Sequence, residues 1–275
     1  MVDKFIKCAL IGHPVGHSRS PAIHNHWIAQ YGLRGQYEAH EVPPERLKES
    51  LLRLIDEGYT GFNVTIPHKQ AVMALCDEVD ATVRAIGAVN TIKVGDDRRL
   101  YGYNTDAFGF IENVRQCAPG FDFGIGAALV LGAGGAARAV AYGLQQAGTP
   151  DIRIANRTRE RTEELARDFG AHVIDWAKRE DAAKDATLLV NTTSLGMKGQ
   201  PPLEFNVAVL PERTLVTDIV YNPLETKLLR DAAARGLKTV GGLGMLLYQA
   251  AAAFEIWFGL RPEITADLYN KMKSF

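Results

Sequence analysis

The chain has 275 residues, 47% of them hydrophobic and 23% charged, a composition suited to a globular protein large enough for two cores. Lys plus Arg number 31 against 32 Asp plus Glu, a formal net charge of -1, so neither nucleic acid nor an anionic membrane surface is expected as a partner. The 3 cysteines, Cys8, Cys76 and Cys117, are scattered and form no CxxC or Cys/His grouping, which points to a reduced, cytoplasmic setting and to no metal.

Ile6–Gly12 reads as the first strand, and the charges at Asp3, Lys4 and Lys7 argue against a secretory leader. A loop over residues 12–21 enters an amphipathic helix over 22–31, followed by a strand over 37–42. Pro43 and Pro44 open a helix that runs to Glu57, because the first amides of a helix lack partners and tolerate proline. Residues 61–66 form a short apolar strand ended by Pro67, and residues 70–76 a helix. Residues 88–94 and Leu100–Tyr103 read as a hairpin around Gly95-Asp96-Asp97.

A linking helix spans residues 106–116. Residues 126–131 are a continuous apolar run, expected of a strand covered on both faces. Helix 136–147, strand Asp151–Asn156, helix 160–169, strand 187–191, strand Leu215–Asp218 and helices 245–258 and 264–273 complete the alternation. The pattern predicts an α/β protein with mainly parallel sheets, the second half doubly wound. The apolar stretch over 241–260 carries Gln249 and Glu255, so it reads as a buried helix rather than a membrane span.

Gly132-Ala133-Gly134-Gly135-Ala136-Ala137 lies between the apolar strand and a helix. Glycines there permit a tight turn, and the helix N-terminus offers amides and partial positive charge to a pyrophosphate. A strand-to-helix turn with no ligand is the plainer alternative. About twenty residues on, where an NAD site places an acid for the ribose, stand Asn156-Arg157-Thr158, then Arg159 and Arg161. A guanidinium fork suits a 2′-phosphate, so NADP is expected rather than NAD; a merely solvated basic helix start would oppose the dipole.

Polar segments close the apolar elements of the first half: residues 12–21 with His24-Asn25, residues 61–69, residues 87–91 and residues 102–106. They gather hydroxyls, carboxamides, one lysine and one aspartate, a set suited to a polyhydroxylated ligand. Taken singly, Lys69 reads as a solvated lysine, Asp106 as a helix cap, and Ser18 or Ser20 as a cap for the helix near Pro21. The histidines His13, His17, His24, His26 and His68 do not make a metal cluster, since His24 and His26 are two apart and face different ways on a helix. No GxSxG elbow supports a hydrolase triad around Ser18.

Over essentially its whole length the sequence resembles the shikimate dehydrogenase family. The matching segments are His17-Ser-Arg-Ser-Pro21, Asn63-Val-Thr-Ile-Pro-His-Lys69, Gly87-Ala-Val-Asn-Thr91, Asn104-Thr-Asp106, the turn at Gly132, Asn156-Arg-Thr158, Asn191-Thr-Thr-Ser-Leu-Gly-Met197, Asp218-Ile-Val-Tyr-Asn-Pro223, and Gly241-Gly-Leu-Gly-Met245 with Gln249. The resemblance implies NADPH-dependent reduction of 3-dehydroshikimate to shikimate, within aromatic amino acid biosynthesis, by a monomer or homodimer. It also implies a substrate domain (1–104 and 246–275), a Rossmann-type NADP domain (105–245) and an active site in the cleft between them.

Residue by residue, the resemblance gives Ser18 and Ser20 the substrate carboxylate, and Asn63, Thr65, Asn90 and Gln249 its hydroxyls. Tyr221 becomes a further substrate contact. Lys69 and Asp106 flank the reacting oxygen, with Lys69 either the acid/base itself or an electrostatic group. Gly132, Ala133, Gly134, Gly135 and Ala136 would cradle the pyrophosphate. Asn156, Arg157, Thr158 and Arg161 would hold the adenosine phosphate, and Ile219, Gly242 and Met245 would line the nicotinamide pocket. Two alternatives remain: a relative acting on quinate or aminoshikimate, with NAD in some cases, and a regulator that keeps the nucleotide site without turnover.

Overall fold

A computed structural model describes residues 5–274, so Asp3 and Lys4 fall outside the described residues. The chain divides into two compact units, one built from the chain up to Thr105 and from Leu247 onward, the other from Asp106–Leu246.

The first unit runs β1 (Ile6–Gly12), α1 (Ser20–Gln30), β2 (Gly35–Glu41), α2 (Leu47–Asp56), β3 (Tyr59–Val64), β4 (Glu78–Val79), α3 (Ala81–Ile86), β5 (Thr91–Val94) and β6 (Leu100–Tyr103). Its sheet has the order β2-β1-β3-β5-β6-β4. Only β5 runs against its neighbours, pairing antiparallel with both β3 and β6. One face carries a core of Ile11, Leu51, Leu54, Phe62, Val72 and Ile92. The amphipathic α2 supplies Leu47, Leu51 and Leu54 to that core while its charged face stays exposed.

The second unit opens with α4 (Asp106–Cys117) and continues β7 (Ala127–Leu131), α5 (Gly135–Gln146), β8 (Asp151–Asn156), α6 (Arg159–Phe169), β9 (His172–Asp175), β10 (Leu188–Asn191), β11 (Leu215–Asp218), α7 (Lys227–Ala234) and β12 (Thr239–Val240). All pairings in the sheet β12-β11-β10-β7-β8-β9 are parallel. Counted from β7, that order is the 3-2-1-4-5-6 arrangement of a dinucleotide-binding sheet, with its switch point between β7 and β10. The apolar run of β7 is explained by its two covered faces: Ala128 and Val130 enter one core and Leu129 and Leu131 the other. The last helices are α8 (Leu243–Phe258), which continues into the first unit, and α9 (Ala266–Lys273).

The strand and helix alternation expected from sequence is present, with local differences. Residues 70–76 form a 3-10 turn (Ala71–Leu75) instead of an α-helix, because Cys76 N–H closes three residues back onto Met73 at 3.2 Å. The helix expected from Pro43 is a 3-10 turn (Pro44–Arg46) before α2. The hairpin turn is closed by Arg98 N–H to the Gly95 carbonyl at 2.9 Å, and its positive φ of 68° falls on Arg98 rather than on a glycine. Elements not anticipated are β4, α3, β9, α7 and β12. Two of these helices carry legible caps: Asp80 accepts from Val83 N–H at 2.7 Å before α3, and Thr226 from Leu229 N–H at 3.5 Å before α7.

Candidate active site

In the first unit, register brings the polar segments to one edge of the sheet. Asn63 pairs with Thr91 across β3 and β5, and Thr91 pairs with Tyr103 across β5 and β6. Because β5 runs antiparallel, its start lies beside the ends of β3 and β6. Asn90, just before β5, therefore meets Thr105, just after β6. Asn90 Oδ1 accepts from the Thr105 N–H at 2.8 Å and the Thr91 hydroxyl at 3.0 Å, while its Nδ2 donates to Thr105 Oγ1 at 2.9 Å and to Gln249 Oε1 at 3.4 Å. Asn63 Nδ2 donates to Thr91 Oγ1 at 3.1 Å and to the Asn90 carbonyl at 3.3 Å. All five side chains are buried. A connected polar network inside a fold holds its members in fixed orientations.

The flanking loops are tied down by backbone. Thr65 N–H bonds the Ile11 carbonyl at 3.0 Å, and His13 N–H bonds the Ile66 carbonyl at 2.9 Å. A Cβ on Gly12 would sit 2.3 Å from Thr65 Cγ2, so glycine is what lets Thr65 lie against the end of β1. Lys69 is half-buried. Its carbonyl accepts from Val89 N–H at 2.8 Å, and the preceding His68 is buried with Nε2 2.6 Å from the Val42 carbonyl. Two fixed neighbours thus define where the lysine stem leaves the backbone.

Ser18 and Ser20 lie at the entry to α1, with their hydroxyls 3.2 Å apart. The capping expectation for them needs correction. The residue at the N-cap is Arg19, without a side-chain cap bond; Ser20 is already helical, and Ser18 Oγ accepts from Ser20 N–H at 3.2 Å. Asp106 likewise stands inside α4 as its first residue, where its carboxylate faces the favourable end of the helix dipole. It is buried and follows Thr105 directly.

In the second unit, Leu131, Asn191 and Asp218 end three neighbouring strands in one row. The glycine turn follows Leu131 at the switch point. Gly132 has φ 116°, and a Cβ there would lie 2.5 Å from Thr192 Oγ1, so no side chain fits. At Gly134 a Cβ would meet nothing within 4 Å, and α5 begins at the next residue with its first amides unpartnered by the helix. Ala137 is buried where the turn packs back on the sheet. These features fit a pyrophosphate. Beyond β8, Asn156 Nδ2 bonds the Thr158 carbonyl at 3.0 Å. Arg159 is engaged with Glu163 at 2.8 Å and with Asp175. Arg157 and Arg161 are exposed and make no ion pair among the described residues, so both guanidinium groups could meet a phosphate.

Ile219 and Met245 belong to one apolar cluster of the second unit, and Gly242 touches the first of them. A Cβ on Gly242 would fall 2.1 Å from the Ile219 carbonyl oxygen. Tyr221 is half-exposed in the loop after β11. That loop is held by Asp218, which sequence reading left without a role. Its Oδ1 accepts from Val220 N–H at 3.0 Å and Asn191 Nδ2 at 3.0 Å, and its Oδ2 accepts from the Thr226 hydroxyl at 2.7 Å. Burial pushes the Asp218 carboxyl up, and these hydrogen bonds offset part of the rise. Asn113 was also missed. Its Nδ2 bonds the Gly241 carbonyl at 2.9 Å, and a Cβ on Gly244 would collide with its side chain at 1.9 Å. Nothing local marks Asn113, whereas the glycine run at 241–244 did hint at close packing.

Residues 10–92 match the family model for the shikimate dehydrogenase substrate binding domain, residues 121–196 that for shikimate / quinate 5-dehydrogenase, and residues 242–267 that for the shikimate 5'-dehydrogenase C-terminal domain. A protein of Paramagnetospirillum magneticum named shikimate dehydrogenase (NADP(+)) is 51% identical over 270 residues, covering 98% of each chain. The crystal structure of shikimate dehydrogenase from Aquifex aeolicus superposes with TM-score 0.89 at 38% identity, covering 98% of this chain and 97% of that one. The Thermus thermophilus enzyme, solved in complex with NADP(H) and shikimate, superposes with TM-score 0.86 at 40% identity, covering 98% of each. With these sheets, this polar edge and this glycine turn, the chain belongs to the shikimate dehydrogenase family.

Proposed function

We propose that the protein catalyses the reversible NADPH-dependent reduction of 3-dehydroshikimate to shikimate, a step of aromatic amino acid biosynthesis, in the cytoplasm. The observation that carries this function is the buried row of Asn63, Thr91, Asn90, Thr105 and Gln249 at one edge of the first sheet. It presents carboxamides and hydroxyls in fixed directions, as a ring bearing several hydroxyls requires.

Ser18 and Ser20 donate to the substrate carboxylate from their shared corner beside α1. Asn63, Thr65, Asn90 and Gln249 bind the ring hydroxyls, and Tyr221 adds a further substrate contact. The turn Gly132-Ala133-Gly134-Gly135-Ala136 takes the pyrophosphate on backbone amides. Asn156, Arg157, Thr158 and Arg161 take the adenosine phosphate, and Ile219, Gly242 and Met245 shape the wall for the nicotinamide. Bound NADPH supplies the hydride. As the substrate carbonyl becomes an alkoxide, the Lys69 ammonium stabilises the charge and delivers a proton to that oxygen. The Asp106 carboxylate orients the ammonium and accepts from a neighbouring hydroxyl. In the oxidative direction a neutral Lys69 receives the proton.

The test is a kinetic panel of shikimate and quinate, each with NADP+ and NAD+, on the native chain and on Lys69→Ala. Turnover is expected with shikimate and NADP+, and Lys69→Ala should lower kcat by about 10²–10⁴-fold, the range for loss of a general acid. Fast quinate turnover with NAD+ would replace the substrate and coenzyme assigned here. Native and Lys69→Ala chains that are both inactive would favour a nucleotide-binding regulator, and equal turnover by both would remove Lys69 from the chemistry.

A further inference from the structure

Tyr37 is fully buried beneath the polar edge. It lies in β2, paired with Cys8 of β1. Its ring stacks on His24 with centroids 4.2 Å apart and planes 10° from parallel. Its backbone is clamped by Asn25, which accepts from the Tyr37 N–H at 2.9 Å and donates to its carbonyl at 2.8 Å. The polar end of so rigid a ring meets two side chains, Ser20 and Asn63. The phenol oxygen lies 2.7 Å from Asn63 Oδ1.

The direction of that bond follows from the other end of the amide. Asn63 Nδ2 faces the Asn90 carbonyl at 3.3 Å, and a carbonyl can only accept. The nitrogen is therefore fixed on that side, and Oδ1 must face Tyr37. The phenol donates. Burial pushes the Tyr37 hydroxyl well above its ordinary pKa, so it keeps the proton it donates. Burial also holds His24 neutral, with its pKa at about 3, so no charge intrudes on the stack. With both Nδ2 hydrogens committed to Asn90 and Thr91, Asn63 has only its acceptor oxygen to turn to a ligand. It can accept from a hydroxyl but cannot donate to a ketone.

We propose that Tyr37 is a positioning residue for substrate specificity: it locks the Asn63 carboxamide so that its oxygen accepts a hydrogen bond from a substrate ring hydroxyl. This role presupposes the activity proposed above. Tyr37→Phe keeps the ring and its stacking and removes only the donor. Oδ1 then lacks its partner, and the amide is released to rotate.

The experiment is steady-state kinetics of shikimate oxidation for the native chain, Tyr37→Phe, Asn63→Ala and the double variant, with thermal melting as a check of folding. Tyr37→Phe should raise KM for shikimate about ten-fold, the worth of one buried hydrogen bond, while kcat and KM for NADP+ stay within about two-fold. In Asn63→Ala, adding Tyr37→Phe should cost nothing further, because the residue it acts through is gone. A native chain that turns over shikimate while Tyr37→Phe leaves its KM unmoved overturns the positioning role alone. Fully additive effects in the double variant, or parallel losses in both KM values, overturn it as well by making Tyr37 a general stability residue. A native chain inactive with shikimate and NADP+ overturns the activity itself, and this role with it.

Discussion

Removing the Asp218 carboxylate should destabilise the second unit, and replacing it with an amide should not. Asp218 is fully buried and takes three donors at the end of β11. In Asp218→Ala, Asn191 Nδ2 keeps its bond to the Leu195 carbonyl at 3.1 Å, but Val220 N–H and the Thr226 hydroxyl lose their acceptor. Each stranded buried donor costs about 1–3 kcal/mol, and relief of burying the carboxylate returns part of that, so a net loss of about 2–4 kcal/mol is expected. In Asp218→Asn, Oδ1 still serves Val220 and Asn191, and the new Nδ2 can donate to Thr226 Oγ1, so the change should stay within about 1 kcal/mol. Urea unfolding would measure both losses, with hydrogen exchange along β11 to localise them. The pH dependence gives a second handle. The folded carboxyl pKa is raised by burial, so its stability contribution is full below the ordinary value of 3.8 and is lost as pH climbs through the raised value. Asp218→Asn should therefore gain on the native chain across that window and hold its gain above it. An alanine variant as stable as the native chain, or an asparagine variant as damaged as the alanine one, would refute the reasoning.

Gly132→Ala forces a side chain onto φ 116° and into Thr192, and should lower the stability of the second unit by about 2–4 kcal/mol in the same urea assay. Gly134→Ala has an ordinary φ of -94° and open space around its Cβ, so it should melt like the native chain yet bind NADP+ at least about ten-fold more weakly by fluorescence titration. Arg157→Ala and Arg161→Ala should each weaken NADP+ by about ten-fold or more while leaving NAD+ unchanged, the loss expected of a charge-assisted bond to phosphate. Arg159→Ala should alter neither affinity, because that guanidinium is spent on Glu163 and Asp175.

Legibility varied with how local the cause is. The buried strand β7 and the turn after it could be read from residues 126–137 because an apolar run, glycines and a helix start sit in sequence order. The same holds for strands β8 and β11, found at their observed bounds. The helix at residues 70–76 failed, since a single turn carries too little periodicity to separate i−3 from i−4 bonding. Strands β9 and β12 escaped because each is short and gains its place only by pairing with a neighbour.

The residues by themselves determined the α/β alternation, the glycine turn and the chemical kinds of group on the loops, because each depends on backbone preferences and periodicity within a few positions. Tertiary structure alone decided that Tyr37 aims at Asn63, that Asp218 gathers Thr226 and Asn191, and that Arg159 is already paired while Arg157 and Arg161 make no ion pair among the described residues. Those facts depend on strand register and on side chains meeting across long stretches of sequence. A hydrogen bond acts over about 3 Å, so its partner is set by where the fold brings the two groups and not by their place in the chain.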